Sequence, residues 1–404
     1  MTNTHSNSPE PSLPPVSQVS PGVWLKKNLF STWYNSLLTI ACLALLYWVA
    51  TSLIGWTFTQ AKWSVVTINL RLFLVGYYPE RLIWRPWTAL GIIVGLAGFS
   101  RGILSDSGNL FNRSNLSILT LLAAICGSIA PWIGVNSSIC LLGMLVLSIL
   151  AATLGKKLGQ SLLANLPLRT WLAAIWVLIF GVVFWLLMGG WFLDVVPLSS
   201  LSGLILTLLI AVVSIVLSFP LGVLLALGRQ SELPAIRWLA TIYIELIRGL
   251  PLIGILFMAQ IMLPLVLPSD VLIDQVWRAI AGYTLFTAAY LAENVRGGLQ
   301  SVPRGQTEAA KALGLSSPLV ITLIILPQAL RAVIPTIVGQ FISLLKDTSL
   351  LVIVSLVDLL GISQSILANP KFVGRAAEIY LFIGLIYWIF CYSMSLGSRK
   401  LEKY

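Results

Sequence analysis

Histidine is almost missing from this chain: His5 is the only one in 404 residues, and it stands in the polar opening MTNTHSNSPEPSLPPVSQVSPG. The apolar body therefore has no histidine base and no histidine ligand for a metal. Charge is scarce too. Only 10% of the residues are charged, against roughly a quarter in a soluble domain, which excludes an ordinary water-soluble fold. Cysteine is represented by Cys42, Cys126, Cys140 and Cys391, all within apolar stretches and none in a Cys-x-x-Cys pattern. They read as small hydrophobes, with no disulfide and no metal implied. A Gly-x-x-x-x-Gly-Lys-Ser/Thr loop is also absent, so no nucleotide site and no cofactor is expected on this chain.

What the chain has in abundance is apolar sequence, 58% of its residues at a mean hydropathy of +0.93. It falls in runs long enough for bilayer-crossing helices, which need about 20 residues. The fold class expected is an all-α, polytopic transmembrane helical bundle. Ten spans are predicted, near 35–55, 87–100, 115–134, 137–155, 170–190, 199–227, 240–265, 276–297, 319–344 and 377–396. The apolar piece at 348–367, with Asp358 and a Gly361 break, reads as a helix partly embedded on the outer side. The stretch 56–86 reads as a long outer loop lying along the membrane surface.

The net charge of +11 would suggest nucleic acid on a soluble protein, but here the basic residues cluster at span ends, as orientation signals do. Nucleic acid is therefore not an expected partner. With the N-terminus inside, fifteen Lys and Arg fall in cytoplasmic segments and eight in outer ones. That bias places both termini in the cytoplasm. Residues 1–30 read as a disordered cytoplasmic tail, 31–195 as an extension of about five transmembrane helices, and 196–404 as a core of about five more. The spans before residue 195 are almost free of internal acidic residues, whereas Glu245, Glu293, Asp347 and Asp358 stand in or beside later ones, and such groups are costly unless they serve a pathway or a partner. Function is expected there.

Three constellations stand out. In "SVPRGQTEAAKALGLSSPLVITLIILPQALRAVIP" (301–335), Pro303 suits a first helical turn, RGQTEAAKAL forms helix, and Gly314 suits a left-handed stop. The result is a short helix at 303–315 on the cytoplasmic face, with Ala309, Ala312 and Leu313 on one side by their spacing and Glu308 beside them. In "ELIRGLPL", Gly249 and Pro251 interrupt a helix, while Glu245 with Arg248, and Glu293 with Arg296, stand three apart and are expected to form structural ion pairs. In "LLKDTSLL", Lys346, Asp347, Thr348 and Ser349 offer both donors and acceptors to a zwitterion, which makes them a candidate substrate route.

GQTEAAKALGLSSPLVITLIILPQALRAVIP resembles the Glu-Ala-Ala loop of bacterial ABC importer permeases, through Glu308, Ala309, Ala310, Gly314, Leu326 and Pro327. "LSGLILTLLIAVVSIVLSFPLGVLLALGR", "YIELIRGLPLIGILF", "YLAENVRGGLQSVPRGQ" and "LLKDTSLL" are similar to the polar amino-acid uptake branch. "WLKKNLFSTWYNSLLTIACLALLYWV" is similar to the extended permeases of general L-amino-acid transporters. Leu250 departs from the threonine common after Arg-Gly in that branch. The resemblance implies a type I permease core with extra N-terminal helices, in the bacterial inner membrane. It makes Gly305, Glu308, Ala309, Ala310 and Gly314 an ATPase-coupling loop. The partners it implies are an ABC ATPase dimer, a second and related permease subunit, and an extracytoplasmic amino-acid-binding protein. The chain would be a transporter subunit and no enzyme, carrying L-amino acids broadly with a lean toward neutral ones.

Two other readings compete. An ion-coupled secondary transporter would show internal repeats with broken helices in matching places, and no repeat is apparent. A membrane-embedded enzyme would need a positioned acid, base or nucleophile set, which the chain does not supply.

Overall fold

The computed structural model describes residues 20–104, 135–159, 168–268 and 270–401. His5, Cys126 and the predicted span at 115–134 lie outside them. The chain divides into two compact units, residues 1–62 and 63–404.

In the first unit, helix α1 is Pro21–Asn28 and α2 is Trp33–Thr59. The tail expected to run to residue 30 thus gives way to helix at Pro21, where proline suits the first helical position. Thr32 caps α2 by accepting from the Asn35 amide at 3.4 Å, and Thr39 donates to the Leu29 carbonyl at 2.9 Å. None of the residues of α2 is buried within the structure. Its 27 residues rise about 40 Å at 1.5 Å each, enough to cross a bilayer.

The second unit begins with α3 (Ser64–Ile68) and α4 (Leu70–Val75), followed by α5 (Trp84–Leu104), α6 (Val135–Lys157) and α7 (Leu168–Met188). The stretch 63–83 is no surface loop. Val65 and Phe73 are buried in one cluster with Leu359, Ile362 and Ile379, because apolar groups at this density gain more from packing than from lying in a polar interface. Helices α5 and α6 touch backbone to backbone. A Cβ on Gly98 would sit 2.4 Å from the Ser148 carbonyl oxygen, and one on Gly102 would sit 2.2 Å from that of Ala152, the close approach that small residues permit between membrane helices.

The remaining helices are α8 (Gly203–Arg229), α9 (Pro234–Gly249), α10 (Leu252–Val266), α11 (Gln275–Ser301), α12 (Arg304–Ala312), α13 (Leu326–Asp347), α14 (Leu359–Leu367) and α15 (Ala376–Leu401). A π-helical stretch, Val320–Ile325, leads into α13, and a 3₁₀ stretch, Thr348–Val354, prolongs it. Helices α8 and α11 run parallel, since Ser214 lies beside Ile280 and Arg229 beside Glu293. Helix α13 runs antiparallel to α11. Tyr283 donates to the Asp347 carbonyl at 2.7 Å near one end, and Gly298 meets Ala329 near the other, where an added Cβ would lie 2.5 Å from the Ala329 oxygen.

Among the described residues, six helices are long and apolar enough to cross a membrane, or up to seven if a bent pair counts as one. That pair is α9 and α10, which meet at 105°. The interruption expected at Gly249 and Pro251 within the span at 240–265 is thus a sharp bend. Leu250 and Pro251 are extended, as a residue before proline tends to be, and Pro251 has no amide to continue the helix.

At the far end from α12, Ser202 accepts from the Tyr77 amide at 2.7 Å and Gly203 starts α8. Gly203 has φ +65°, and a Cβ there would lie 2.7 Å from the Phe73 carbonyl oxygen. A left-handed backbone and a neighbour that close leave room for glycine alone. The region expected to be a separate extension thus shares, from residue 63 on, one compact body with the core.

Candidate functional site

Helix α12 starts at Arg304, with Pro303 as its extended N-cap. It ends as the sequence predicts. Gly314 has φ +80°, its amide donates to the Lys311 carbonyl at 2.9 Å, and the Leu315 amide reaches the Ala310 carbonyl at 3.2 Å. These two bonds form the Schellman stop, which satisfies carbonyls that the helix end would otherwise leave open.

Ala310 is buried, while Gly305, Glu308, Ala309, Ala312 and Leu313 are exposed. Helix α12 packs against the π-helical start of the next span with Ala310 as its buried residue, and the other small residues form the outer face. Leu313 is 83% exposed, an apolar group in water at the end of a helix whose other side is already packed. A Cβ on Gly305 or Gly314 would meet nothing within 4 Å, so this face is open to a partner.

Behind α12 lies an ion-pair network different from the one expected. Glu293 does pair with Arg296, whose Nε donates to Oε2 at 3.0 Å. Glu245 instead holds Arg229 at 2.8 Å, and Arg229 also reaches Glu293 at 3.2 Å. Arg248 turns to Glu293 at 3.8 Å, with its guanidinium 5.6 Å from the centre of the Tyr290 ring. The expected Glu245–Arg248 pair is replaced because Arg229, at the end of α8, comes within reach of both carboxylates. Three arginines on two glutamates leave one net positive charge and tie α8, α9 and α11 together around Glu293, in the last third of α11 before the turn into α12.

The four residues of the candidate substrate route do not share one surface. Lys346 is exposed and Asp347 and Ser349 are half-buried. Thr348 is fully buried and spends its hydroxyl on the Leu345 carbonyl at 2.6 Å. The cause is the change from α-helix to 3₁₀ after Asp347, which turns Thr348 inward toward Tyr387, 3.4 Å away. Tyr387 stands also 3.5 Å from the carboxylate of Asp358, which is fully buried and caps α14 by accepting from the Gly361 amide at 2.8 Å. Thr207 of α8 accepts from the Leu359 amide at 3.1 Å. Sequence alone singles out Asp358 as an acid in an apolar run; the spacing to Gly361 is the signal of its capping role.

Comparison with known proteins bears on this geometry. Residues 218–403, which hold α12 and its network, match the family model described as the binding-protein-dependent transport system inner membrane component. The chain is 39% identical over 398 residues to the inner membrane amino-acid ABC transporter permease protein YhdY of Escherichia coli (strain K12), covering 94% of this chain and 92% of that protein. It belongs to the amino-acid ABC transporter permeases. It is also 35% identical to the glutamate/glutamine/aspartate/asparagine transport system permease protein BztC of Rhodobacter capsulatus, over 99% of this chain and 96% of that one. The probable glutamine ABC transporter permease protein GlnP of Bacillus subtilis is 39% identical over 50% of this chain and 91% of its own length. The permease is a multi-pass inner-membrane protein with the fold class expected, and nothing favours an ion-coupled transporter.

Proposed function

We propose that this permease draws its energy from an ATPase subunit docked on the exposed face of α12 and carries L-amino acids delivered by an extracytoplasmic binding protein. The observation that carries the reading is the orientation of α12: Ala310 is its buried residue, while Glu308, Ala309, Ala312 and Leu313 face outward. A rigid helix mounted on one side only is a lever for a partner. Its motion reaches α11 through the turn at 302–303 and α13 through the Gly298–Ala329 contact, where packing is too close to slip. The two spans then shift together, as rigid-body transitions require.

The second permease in the assembly is a related chain, in line with the extended form of the sequence, and both termini lie in the cytoplasm. The substrates are L-amino acids, taken broadly with a lean to neutral ones. Lys346 and Asp347 are adjacent and of opposite sign, so they add no net charge beside the half-buried Ser349. Their sequence neighbours Leu344, Leu345, Leu350 and Leu351 are aliphatic, and one methylene separates substrates by only about 1–3 kcal/mol. The relative named for glutamate, glutamine, aspartate and asparagine supports breadth.

The test is Glu308→Lys in the assembled complex. Loss of ATPase co-purification, with the subunit still inserted at normal level, is expected; co-purification and transport-coupled hydrolysis both intact would refute the docking role.

A further inference from the structure

At the end of the unit opposite α12, the chain between α7 and α8 makes a tight hairpin at 189–194. Gly190 and Leu193 exchange backbone hydrogen bonds at 2.9 and 3.1 Å. Gly189, Gly190 and Trp191 have φ of +76°, +104° and +57°. Tryptophan in the left-handed region is strained by roughly 1–2 kcal/mol, so surrounding bonds must hold it there. They do. Arg85 donates to the Asp194 carbonyl at 2.8 Å, Arg81 lies 3.5 Å from the Asp194 carboxylate, and Tyr78 donates to the Leu187 carbonyl at 2.7 Å. The structure thus fixes a tip on which Trp191 and Phe192 are 93% and 94% exposed.

Three observations say what covers them. First, the tip follows directly on α7, an apolar helix whose apolar part is Ala174–Met188. Second, α7 itself leaves apolar side chains uncovered, with Val177, Leu178 and Trp185 exposed. Third, other exposed aromatics lie at the same end. Trp84 opens α5 beside Arg85, and Trp277, in the first turn of α11, packs on Phe184 with ring centres 5.9 Å apart. Tryptophan and tyrosine gather at membrane–water interfaces in such belts, because their rings suit the level of the lipid headgroups.

We propose that the 190–193 hairpin is an interfacial anchor, which seats Trp191 and Phe192 among the phospholipid headgroups and upper acyl chains of the leaflet opposite α12. The segment that braces it, 77–85, also binds Ser202 through the Tyr77 amide, one residue before α8 begins. The hairpin therefore sets the depth of the first turn of α8 in the bilayer.

The experiment uses the full chain in its assembled complex in phospholipid vesicles, with the native cysteines replaced and a nitroxide label on Phe192→Cys. This variant leaves Trp191 and the backbone at φ +57° in place. Collisional access of a water-soluble nickel reagent should be well below that of a label at exposed Ser199, with oxygen access raised, and adding the binding protein should change neither. Nickel access equal to that at Ser199 would overturn the anchor, as would shielding that appears only with the binding protein, which would assign the tip to protein docking. Trp191→Gly, combined with the same label, keeps the backbone permissible and removes one ring. Nickel access should then shift toward the Ser199 value, and no shift would also count against the anchor.

Discussion

The two ends of the membrane body differ in the polar groups they bury. Beside α12, charges and small residues stand open: Glu308, Ala309 and Ala312 are exposed, and the arginine–glutamate network is only partly buried. At the other end, Asp358 and Thr348 are closed in, each with a defined partner or cap. A buried polar group is tolerated only when it is satisfied, and once satisfied it resists rearrangement. The α12 end is thus built to meet another protein, and the far end to keep helix starts in register.

Two glycines sharpen the contrast, because both are left-handed and only one is crowded. Gly203→Val would drive a side chain toward the Phe73 carbonyl in a conformation valine avoids. The strain and overpacking together amount to about 2–5 kcal/mol, and the chain should fail to accumulate in the membrane, read by immunoblot of the membrane fraction. Asp358→Ala removes a helix cap worth about 0.5–2 kcal/mol and leaves Tyr387 facing an empty site. A lowered midpoint of thermal aggregation in detergent is expected, with membrane insertion kept. Gly314→Ala, in open space, costs only about 1 kcal/mol of backbone strain. Here accumulation should stay normal while coupled ATP hydrolysis falls. Equal accumulation defects at Gly203 and Gly314 would erase the distinction between the ends. The smallest effect belongs to Glu245→Gln, which loses a partly exposed pair worth about 0.2–1 kcal/mol while Arg229 keeps Glu293. Thermal stability should barely move, and less than in Glu293→Gln, which strips three arginines of their shared partner.

How much of this could be read from residues alone follows from the range of the interaction involved. Apolar length marks most of the described spans, and the left-handed stop at Gly314 is legible because it depends on one residue and its neighbours. The break at Gly249 and Pro251 is legible too, though its 105° angle is not, since tertiary packing sets it. Spacing pairs Glu245 with Arg248, yet Arg229 arrives from another helix and wins. That contact is sixteen residues away in sequence and leaves no local periodic trace. The inward turn of Thr348 and the packing of 63–83 against α14 and α15 are hidden for the same reason.

The most direct measurement is chemical cross-linking from α12 in the assembled transporter. A cysteine-free chain carrying Leu313→Cys, with a short bifunctional reagent, should form an adduct with the ATPase subunit whose yield changes when ATP is added. The same residue type placed at Ser199, at the far end, should form none. A stably bound ATPase that gives no adduct from Leu313→Cys, at any nucleotide state, would contradict the account.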